Sequence, residues 1–255
     1  MDFSRFEALT FDCYGTLIDW ESGILAALRP ILIAHGQNLS DGQILELHSE
    51  LEPAEQQKQY KPYREVLEGV VRGFGRKLGF AASSSEVSSL PTSLQNWKPF
   101  PDTVPALESL KTKFKLAIIS NTDDDLFEAT ACYLKVTFDE VITAQQARAY
   151  KPALEPFKIA MQRLGLGPDR LVHVGQSVYH DVVPAKSLGI ESVWVNRRPG
   201  QQSAVKSADV KPDIEVPDMQ TLARIALNSE AASPARRSWW ARRCAGARGR
   251  TQWQR

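Results

Sequence analysis

One carboxylate in this chain directly follows a predicted buried strand. The apolar stretch 6–11 ends at Asp12, and a Gly15 turn followed by Thr16 then leads into helix-forming sequence. Ligands of open α/β sheets bind outside the carboxyl ends of the strands, so a side chain placed there is directed toward a substrate. Such a carboxylate can displace a leaving group and form an ester, which water then hydrolyses.

Further polar residues follow later predicted strands, in the order Ser120, Asn121, Lys151 and Asp181. Lys151 precedes Pro152, which favours an extended or turn conformation before a helix. A cation in this place would keep Asp12 ionised through opposite-charge stabilisation, and it would attract an anionic substrate. The ordered set indicates one site built from strand ends.

Taken together, these features resemble the haloacid dehalogenase superfamily over about residues 6–198. The Asp-Cys-Tyr-Gly-Thr-Leu at 12–17, the Tyr-Lys-Pro at 150–152 and the Trp-Val-Asn-Arg at 194–197 are most similar to its 2-haloacid dehalogenase branch. The resemblance implies an α/β fold, a Rossmann-like doubly wound parallel sheet with an inserted helical cap domain. It also implies hydrolytic dehalogenation of small 2-haloalkanoic acids, of the S configuration, to 2-hydroxyacids through an aspartyl ester.

The resemblance assigns catalysis to Asp12, Thr16, Lys151 and Asp181. Asp12 would attack C2 of the substrate from behind the carbon–halogen bond, oriented by Thr16 and by the backbone N–H groups of residues 13–15. Asp181 would either pair with Lys151 or help to position the hydrolytic water. Its ordinary alternative is a helix N-terminal acid stabilised by the helix dipole.

The substrate contacts implied by the resemblance are Tyr14, Ser120, Asn121, Gln176 and Ser177. Ser120 would hydrogen-bond the substrate carboxylate, or else satisfy local backbone groups as a strand-end hydroxyl. Asn121 would donate to the departing halide or to the ester, or else serve as a turn residue.

Two positions distinguish this chain from the phosphatases of the superfamily. Those enzymes have an Asp two residues after the nucleophile that protonates the leaving alkoxide, and this chain has Tyr14 there. A halide leaves without a proton, whereas a phosphatase without this acid should lose about 10²–10⁴-fold in rate. The phosphatases also bind Mg²⁺ through a fourth-motif Asp, where Gln176 is a poorer ligand for a hard cation. We therefore expect no cofactor, and Mg²⁺ only if the chain is a phosphatase.

Other positions differ from the dehalogenase pattern. The family takes a halide-binding Arg from the early cap, but no Arg lies between Arg29 and Arg64, and this region holds Gln37, Asn38, Gln43 and His48. Arg64 either replaces the missing Arg or forms a salt bridge on a helix surface. Phe157 stands where the family has Tyr. His180 has the pKa range of a base, although a lone His beside a helix start more often has a structural role.

Strands that alternate with helices predict the parallel, doubly wound sheet. Strands are expected at 6–11, 115–121, 140–143, 171–177 including an exit loop, and 191–195. Apolar spacing predicts helices near 24–33, from 41, at 63–78, after a cap at 83–85, and at 104–113, 156–164 and 182–188. We expect a core domain of residues 1–16 and 99–228, a helical cap of 17–98, and a basic, disordered tail of 229–255.

Composition is that of an ordinary globular enzyme, with 255 residues, 43% hydrophobic and 24% charged. No apolar stretch of 18 residues suggests a membrane span, and residues 1–5 lack the pattern of a signal peptide. Three scattered cysteines have no metal-ligand or redox spacing. These features predict a reduced, cytoplasmic protein without a membrane partner.

The formal charge is unevenly distributed along the chain. Residues 231–255 contain seven arginines and no acid, which leaves 24 basic and 30 acidic residues elsewhere, or about −6 for residues 1–230. Arg with Trp in this tail suits contacts with anions, a membrane surface or nucleic acid, although a disordered appendage without a nucleic-acid partner is favoured. The expected partner is a small carboxylic acid. A homodimer is left open by analogy with related dehalogenases.

Three rival functions stay open at this point. A phosphatase that tolerates Tyr14 would turn over aryl phosphates with Mg²⁺. A catalytically weak carboxylate-binding or accessory protein would bind a small acid without turnover. A nucleic-acid-associated protein would bind through the tail, with an affinity that falls steeply with salt.

Overall fold

The computed structural model describes residues 1–56, 59–197 and 210–228, with a parallel sheet at the centre of the fold. Its strands are β1 (Ala8–Phe11), β2 (Lys115–Ser120), β3 (Glu140–Thr143), β4 (Leu171–Gly175), β5 (Glu191–Val195) and β6 (Ile214–Val216). They lie in the order β3-β2-β1-β4-β5-β6, and every pairing is parallel. The predicted α/β class with a parallel sheet is confirmed.

The strand order changes direction at β1, which lies between β2 and β4. Phe11 of β1 is level with Ile118 of β2 and with Val174 of β4. The loops that follow these three strands therefore leave the sheet side by side at one edge. In a doubly wound sheet, this is where the ligand crevice forms.

Helices flank the strands along the chain. Before β2 these are α1 (Trp20–Ala34), α2 (Asp41–Gln56), α3 (Tyr63–Leu78), α4 (Ser84–Ser93) and α5 (Thr103–Lys111). After β2 they are α6 (Asp124–Leu134), α7 (Ala144–Ala147), α8 (Glu155–Leu164), α9 (Val183–Ser187) and α10 (Met219–Asn228), with a π-helical turn at Val178–Val182. The described residues of 20–96 contain no strand. Their separation from the core as a cap domain stays a prediction, as do its boundaries.

Both faces of the sheet are covered, because side chains alternate across a strand. Leu9 and Phe11 belong to the larger apolar core, which continues into the helices α1 to α4. Ala8 belongs to a second apolar cluster, together with Phe157 and Leu164 of α8. Strands that are buried on both faces have near-continuous apolar sequences. The polar side chains of the candidate site lie at or beyond the carboxyl ends of these strands.

Helix α3 shows how sequence pattern becomes packing. Its apolar positions recur at helical spacing and are at most 1% exposed, namely Val66, Leu67, Val70, Val71 and Phe74. Full burial of one such side chain contributes about 1.5–3 kcal/mol. The helix ends at Gly79, whose φ of 80° lies in the left-handed region that favours glycine. Its predicted range, 63–78, is confirmed.

Several predicted element positions are confirmed and others were missed. The capping segment at 83–85 is confirmed by Ser83, which forms a reciprocal capping box with Glu86 at the start of α4. The helices α6, α7 and α10 and the strand β6 were not predicted. The predicted tail at 229–255 lies outside the described residues, and no described helix is long and apolar enough to cross a membrane.

Candidate active site

The loop after β1 presents the Asp12 carboxylate at the sheet edge. The Asp12 N–H donates to Val174 O at 2.9 Å, which fixes the start of the loop against β4. Its Oδ2 accepts from Thr16 Oγ1 at 2.8 Å, and Thr16 Oγ1 accepts from the Gln176 N–H at 2.9 Å. The turn between them needs Gly15, whose φ is 97°. Because the Gly15 N–H donates to Ile18 O at 2.8 Å, the prediction that it orients Asp12 was wrong.

Lys151 lies between two carboxylates and is only 2% exposed. Its Nζ donates to Asp12 Oδ1 at 2.8 Å, to Asp181 Oδ1 at 2.7 Å and to Ile119 O at 2.9 Å. Burial alone would lower the pKa of Lys151, but the charges of Asp12 and Asp181 outweigh it and raise this pKa. The ammonium is therefore permanently charged, and all three of its donors are used within the protein.

Asp181 is held more completely than Asp12. Besides Lys151, His173 Nε2 lies 3.2 Å from its Oδ1, and the Ser177 N–H donates to its Oδ2 at 3.0 Å. Burial would raise the pKa of Asp181, but the Lys151 charge and the His173 contact outweigh it and hold this pKa well below the usual range. A Cβ at Gly175 would lie 2.4 Å from Asp181 Cγ, so only glycine fits beneath this carboxylate.

The pKa of Asp12 is shifted in the opposite direction to that of Asp181. Burial raises the pKa of Asp12, and the negative charge of Asp181 adds to this effect while the Lys151 ammonium opposes it. The two carboxylates therefore differ, although they share one cation. Asp181 is held as an anion by three contacts, whereas Asp12 accepts two hydrogen bonds and is the more exposed of the two carboxylates.

The predicted substrate contact Tyr14 makes other contacts in the structure. Its hydroxyl lies 2.8 Å from Thr130 Oγ1 of α6, and its ring packs edge-on against Trp97 with centroids 5.7 Å apart. Burial raises the pKa of Tyr14 above its ordinary value. A phenol with a raised pKa and a protein hydrogen-bond partner is a poor proton donor for a leaving group.

Ser120 and Asn121 differ in what they offer to a ligand. Asn121 pairs with the Lys151 backbone, since its Oδ1 accepts from the Lys151 N–H at 2.7 Å and its Nδ2 donates to the Lys151 carbonyl at 3.2 Å. This contact places the lysine and differs from the substrate contact that was predicted. Ser120 Oγ is buried and has no hydrogen-bond partner among the described residues. A buried hydroxyl without a partner is costly, so it suits a ligand.

Gln176 and Ser177 belong to the loop after β4. The Gln176 carbonyl accepts from Trp194 Nε1 at 2.8 Å, which fixes this loop from β5. Ser177 Oγ accepts from the His180 N–H at 3.1 Å and lies 3.2 Å from His180 Nδ1, so it caps the π-helical turn that carries Asp181. The π-helical turn is a feature that often occurs at functional sites.

The helical segment before β2 contributes a different set of groups. Arg64 forms an exposed ion pair with Asp125, with Nη2 and Oδ2 2.6 Å apart, so the salt-bridge interpretation of this residue is confirmed. His48 is 1% exposed, and neither ring nitrogen has a hydrogen-bond partner among the described residues. Its ring lies 5.7 Å from that of Trp20.

The family of the chain follows from comparison with known proteins. The model of the haloacid dehalogenase-like hydrolases matches residues 6–189. The chain belongs to this hydrolase family. Haloacetate dehalogenase H-2 of Moraxella sp. (strain B) is 26% identical to this hydrolase over 227 residues, which cover 87% of the chain and 98% of the relative. The family resemblance predicted from the motifs is confirmed.

Other relatives of this hydrolase have different activities or show the fold alone. Glyceraldehyde 3-phosphate phosphatase of Methanothermobacter thermautotrophicus is 29% identical over 197 residues, which cover 74% of the chain and 85% of the relative. The structure of L-2-haloacid dehalogenase from Xanthobacter autotrophicus with chloropropionic acid covalently bound has a TM-score of 0.74 at 22% identity, and the match covers 87% of this chain and 98% of that one. Family and fold are thus shared by dehalogenases and phosphatases.

The donor set of this hydrolase does not suit Mg²⁺, which prefers several carboxylate and water oxygens in octahedral geometry. One carboxylate oxygen of Asp12 and one of Asp181 already accept from Lys151 Nζ. The neutral Gln176 stands where the phosphatases of the superfamily have their fourth-motif Asp. Across residues 1–56, 59–197 and 210–228, no group of three or more His, Cys, Asp or Glu is arranged to hold a metal ion.

The sequence did not predict two buried strand residues beside this site, His173 and its partner Thr10. His173 of β4 is fully buried and reaches Asp181, and its Nδ1 lies 2.9 Å from Thr10 Oγ1 of β1. The available signal was a His in the middle of an otherwise apolar strand. Its pairing with Thr10 requires the strand register, which the sequence alone does not provide.

Proposed function

We propose that this hydrolase removes halide from small (S)-2-haloalkanoic acids through an ester on Asp12 and releases the 2-hydroxyacid. The observation that carries this proposal is the contact of the Tyr14 hydroxyl with Thr130 Oγ1 at 2.8 Å. Two residues after the nucleophile, no free proton donor is available, so a leaving group that departs unprotonated is favoured.

In the first step, an Asp12 carboxylate oxygen attacks C2 of the substrate. The new C–O bond forms as the carbon–halogen bond breaks, and the halide leaves with the bonding electrons. Lys151 and Thr16 hold the Asp12 carboxylate at 2.8 Å each and so fix its direction of attack. Backside attack inverts the configuration at C2.

In the second step, water attacks the ester carbonyl of Asp12. The acyl C–O bond breaks, the 2-hydroxyacid leaves, the Asp12 carboxylate returns, and one proton is released to solvent. The hydroxyl oxygen of the product comes from Asp12, and one oxygen of water replaces it in the side chain. Asp181 keeps Lys151 in place through its 2.7 Å contact throughout the cycle.

The substrate carboxylate is assigned to Ser120, whose buried hydroxyl lacks a partner among the described residues. Gln176 and Ser177, whose loop lies beside Thr16, are proposed to line the same pocket. Asn121 acts indirectly through the Lys151 backbone. The names of the dehalogenase relatives support this substrate class, while the glyceraldehyde 3-phosphate phosphatase relative supports the rival leaving group.

A halide-release screen tests the proposal. The purified protein is assayed with 2-chloro- and 2-bromoalkanoates of increasing chain length, with and without a chelator, and in parallel with an aryl phosphate and Mg²⁺. Halide release that is unaffected by the chelator is the expected result. Turnover of the aryl phosphate that requires Mg²⁺, without halide release, would support a phosphatase instead. Binding of a haloacid without turnover would support an accessory protein.

A further inference from the structure

The proposed reaction leaves one buried polar group unused, the imidazole of His173. It lies in the middle of β4, level with Thr10 of β1 on one side and Ser192 of β5 on the other. Thr10 is 1% exposed, His173 is 0% exposed and Asp181 is 1% exposed. A polar chain this deep in the sheet is costly unless each group is hydrogen-bonded.

The distances determine which ring nitrogen carries the proton. His173 Nε2 lies 3.2 Å from Asp181 Oδ1, and an ionised carboxylate can only accept, so Nε2 must be the donor. Burial lowers the pKa of His173, so the ring is neutral and its Nδ1 carries no proton. Thr10 Oγ1, 2.9 Å away, then donates to Nδ1. The other acceptor for this hydroxyl, Val172 O, is 3.4 Å away and is a weaker choice.

The charged groups that act on the His173 ring are Asp181, Lys151 and Asp12. Asp181 is on the π-helical turn, Lys151 is in the loop before α8, and Asp12 follows β1. On the α8 side the ring makes a T-shaped contact with Phe157, with centroids 4.9 Å apart. The imidazole therefore donates one hydrogen bond, to Asp181, and accepts one, from Thr10.

We propose that Thr10 and His173 are positioning residues, a buried relay in which the Thr10 hydroxyl selects the Nε2–H tautomer of His173 and this N–H fixes the Asp181 carboxylate. Asp181 in turn holds Lys151 at 2.7 Å, and Lys151 holds Asp12 at 2.8 Å. The relay thus sets the geometry of the nucleophile across two strands. The kinetic part of this inference rests on the proposed function, whereas the tautomer can be measured without turnover.

The direct test is nitrogen NMR of the protein labelled with ¹⁵N-histidine. The chain has four histidines, and the His173 signals are identified by their loss in His173→Gln. At neutral pH, we expect His173 as the neutral Nε2–H tautomer. In Thr10→Val, which keeps the shape but removes the donor, we expect a mixture of the two tautomers. A doubly protonated ring or an Nδ1–H tautomer in the wild type would overturn the relay.

The kinetic test compares His173→Phe with His173→Gln. Loss of one hydrogen bond to a charged group should lower kcat by on the order of 10- to 100-fold, with KM nearly unchanged because His173 does not touch substrate. Gln, which can place an N–H near the Nε2 position, should restore most of kcat. Wild-type kcat in His173→Phe would contradict the positioning role.

Ser192→Ala is the matched control, since it removes a buried hydroxyl from the other sheet neighbour of His173. Ser192 Oγ donates to Asp213 Oδ2 at 3.4 Å, whereas the ring nitrogens of His173 contact Thr10 and Asp181. The His173 tautomer and kcat should therefore both stay at wild-type values. Absence of halide release by the wild type would reject the proposed function, and the spectra of wild type and Thr10→Val would still decide the relay. They also decide it where His173→Phe does not fold.

Discussion

Lys151 is the residue on which the charge balance of the site depends. It is the shared partner of Asp12 and Asp181, and each of its donors is used by a protein oxygen. With His173 neutral, two ionised carboxylates and one ammonium would leave a net negative charge among groups that are at most 8% exposed. The lysine therefore fixes the Asp12 carboxylate and favours its ionised form.

Lys151→Met should destabilise the fold strongly. Removal of one partner from a buried ion pair leaves uncompensated charge and costs about 3–5 kcal/mol, and this variant leaves two carboxylates without their cation. Urea unfolding measures the change in the free energy of unfolding. The control is Lys186→Met, because Lys186 pairs with Asp213 at 2.7 Å but is 35% exposed. That pair should contribute about 1 kcal/mol or less. Equal losses in the two variants would contradict the buried charge cluster.

Asp181 should make stability depend on pH with a defined sign. Its pKa is lower in the folded state than in the unfolded state, so its contribution is present above the ordinary carboxyl pKa and is lost as the pH falls through the folded value. Asp181→Asn should therefore show a shallower loss of unfolding free energy between neutral and acidic pH. Parallel pH curves for the variant and the wild type would show that folding does not lower the pKa of Asp181.

The sequence predicted more about the identities of these residues than about their contacts. Asp12, Thr16, Lys151 and Asp181 were singled out by strand ends and resemblance, and the structure brings them together. Asn121 was expected to contact substrate, but its contact with the Lys151 backbone depends on the distance between two loops. The relay through His173 depends on register. Neither quantity is encoded in local spacing.

Among the elements, α3 depends on a residue from outside its own segment. Its N-cap is Pro62, which supplies no side-chain hydrogen bond. Instead, Asp123 in the loop after β2 accepts from the Tyr63 N–H at 2.8 Å and from the Arg64 N–H at 2.9 Å. A carboxylate from the loop after β2 thus caps helix α3 and links the two.

Asp123→Ala should lower the free energy of unfolding by about 0.5–2 kcal/mol, the usual contribution of a helix N-cap. Asp125→Ala is a suitable control two residues away, because Asp125 is 66% exposed and pairs with Arg64 at the surface. The control should change stability by about 0.5 kcal/mol or less. Chemical denaturation of both variants gives the comparison. An equally small effect of Asp123→Ala would argue against the cap.

Element prediction succeeded where a long periodic face was present and failed where it was not. Helix α3 presents five apolar residues on one face, and its ends were predicted to the residue. Strand β6 has only three residues, too few to show an alternation. Helix α6 begins with the acidic residues Asp124 and Asp125 directly after a strand end, which resembles loop sequence. The apolar face that identifies it, with Leu126, Phe127 and Leu134, lies beyond that start.

At the scale of the whole molecule, the fold supports more than one reaction. Dehalogenases and a phosphatase are both related to this hydrolase, so fold alone does not determine function. Which of the two reactions is favoured depends on a few positions at one sheet edge. Tyr14 and Gln176 stand where a phosphatase of the superfamily has carboxylates. Lys151 Nζ donates to one carboxylate oxygen of Asp12 and to one of Asp181. The homodimer and the cytoplasmic location stay predictions.

The whole protein should be indifferent to Mg²⁺. A ligand that binds the folded state raises the midpoint of thermal unfolding as its concentration increases. Millimolar Mg²⁺ should therefore leave both this midpoint and the rate of halide release unchanged, and a chelator should have no effect. A midpoint that rises with Mg²⁺ and falls again with chelator would show a metal site and would favour the phosphatase.

The central claim is that Asp12 becomes covalently bound to the substrate carbon and is regenerated by water. A single turnover in ¹⁸O-water, with enzyme in excess over a 2-haloacid, tests it most directly by mass spectrometry of the peptide that contains Asp12. The ester route predicts one heavy oxygen in the Asp12 side chain and an unlabelled hydroxyl in the product. Label in the product hydroxyl, with none in the Asp12 peptide, would mean that water attacks C2 directly and would contradict the account.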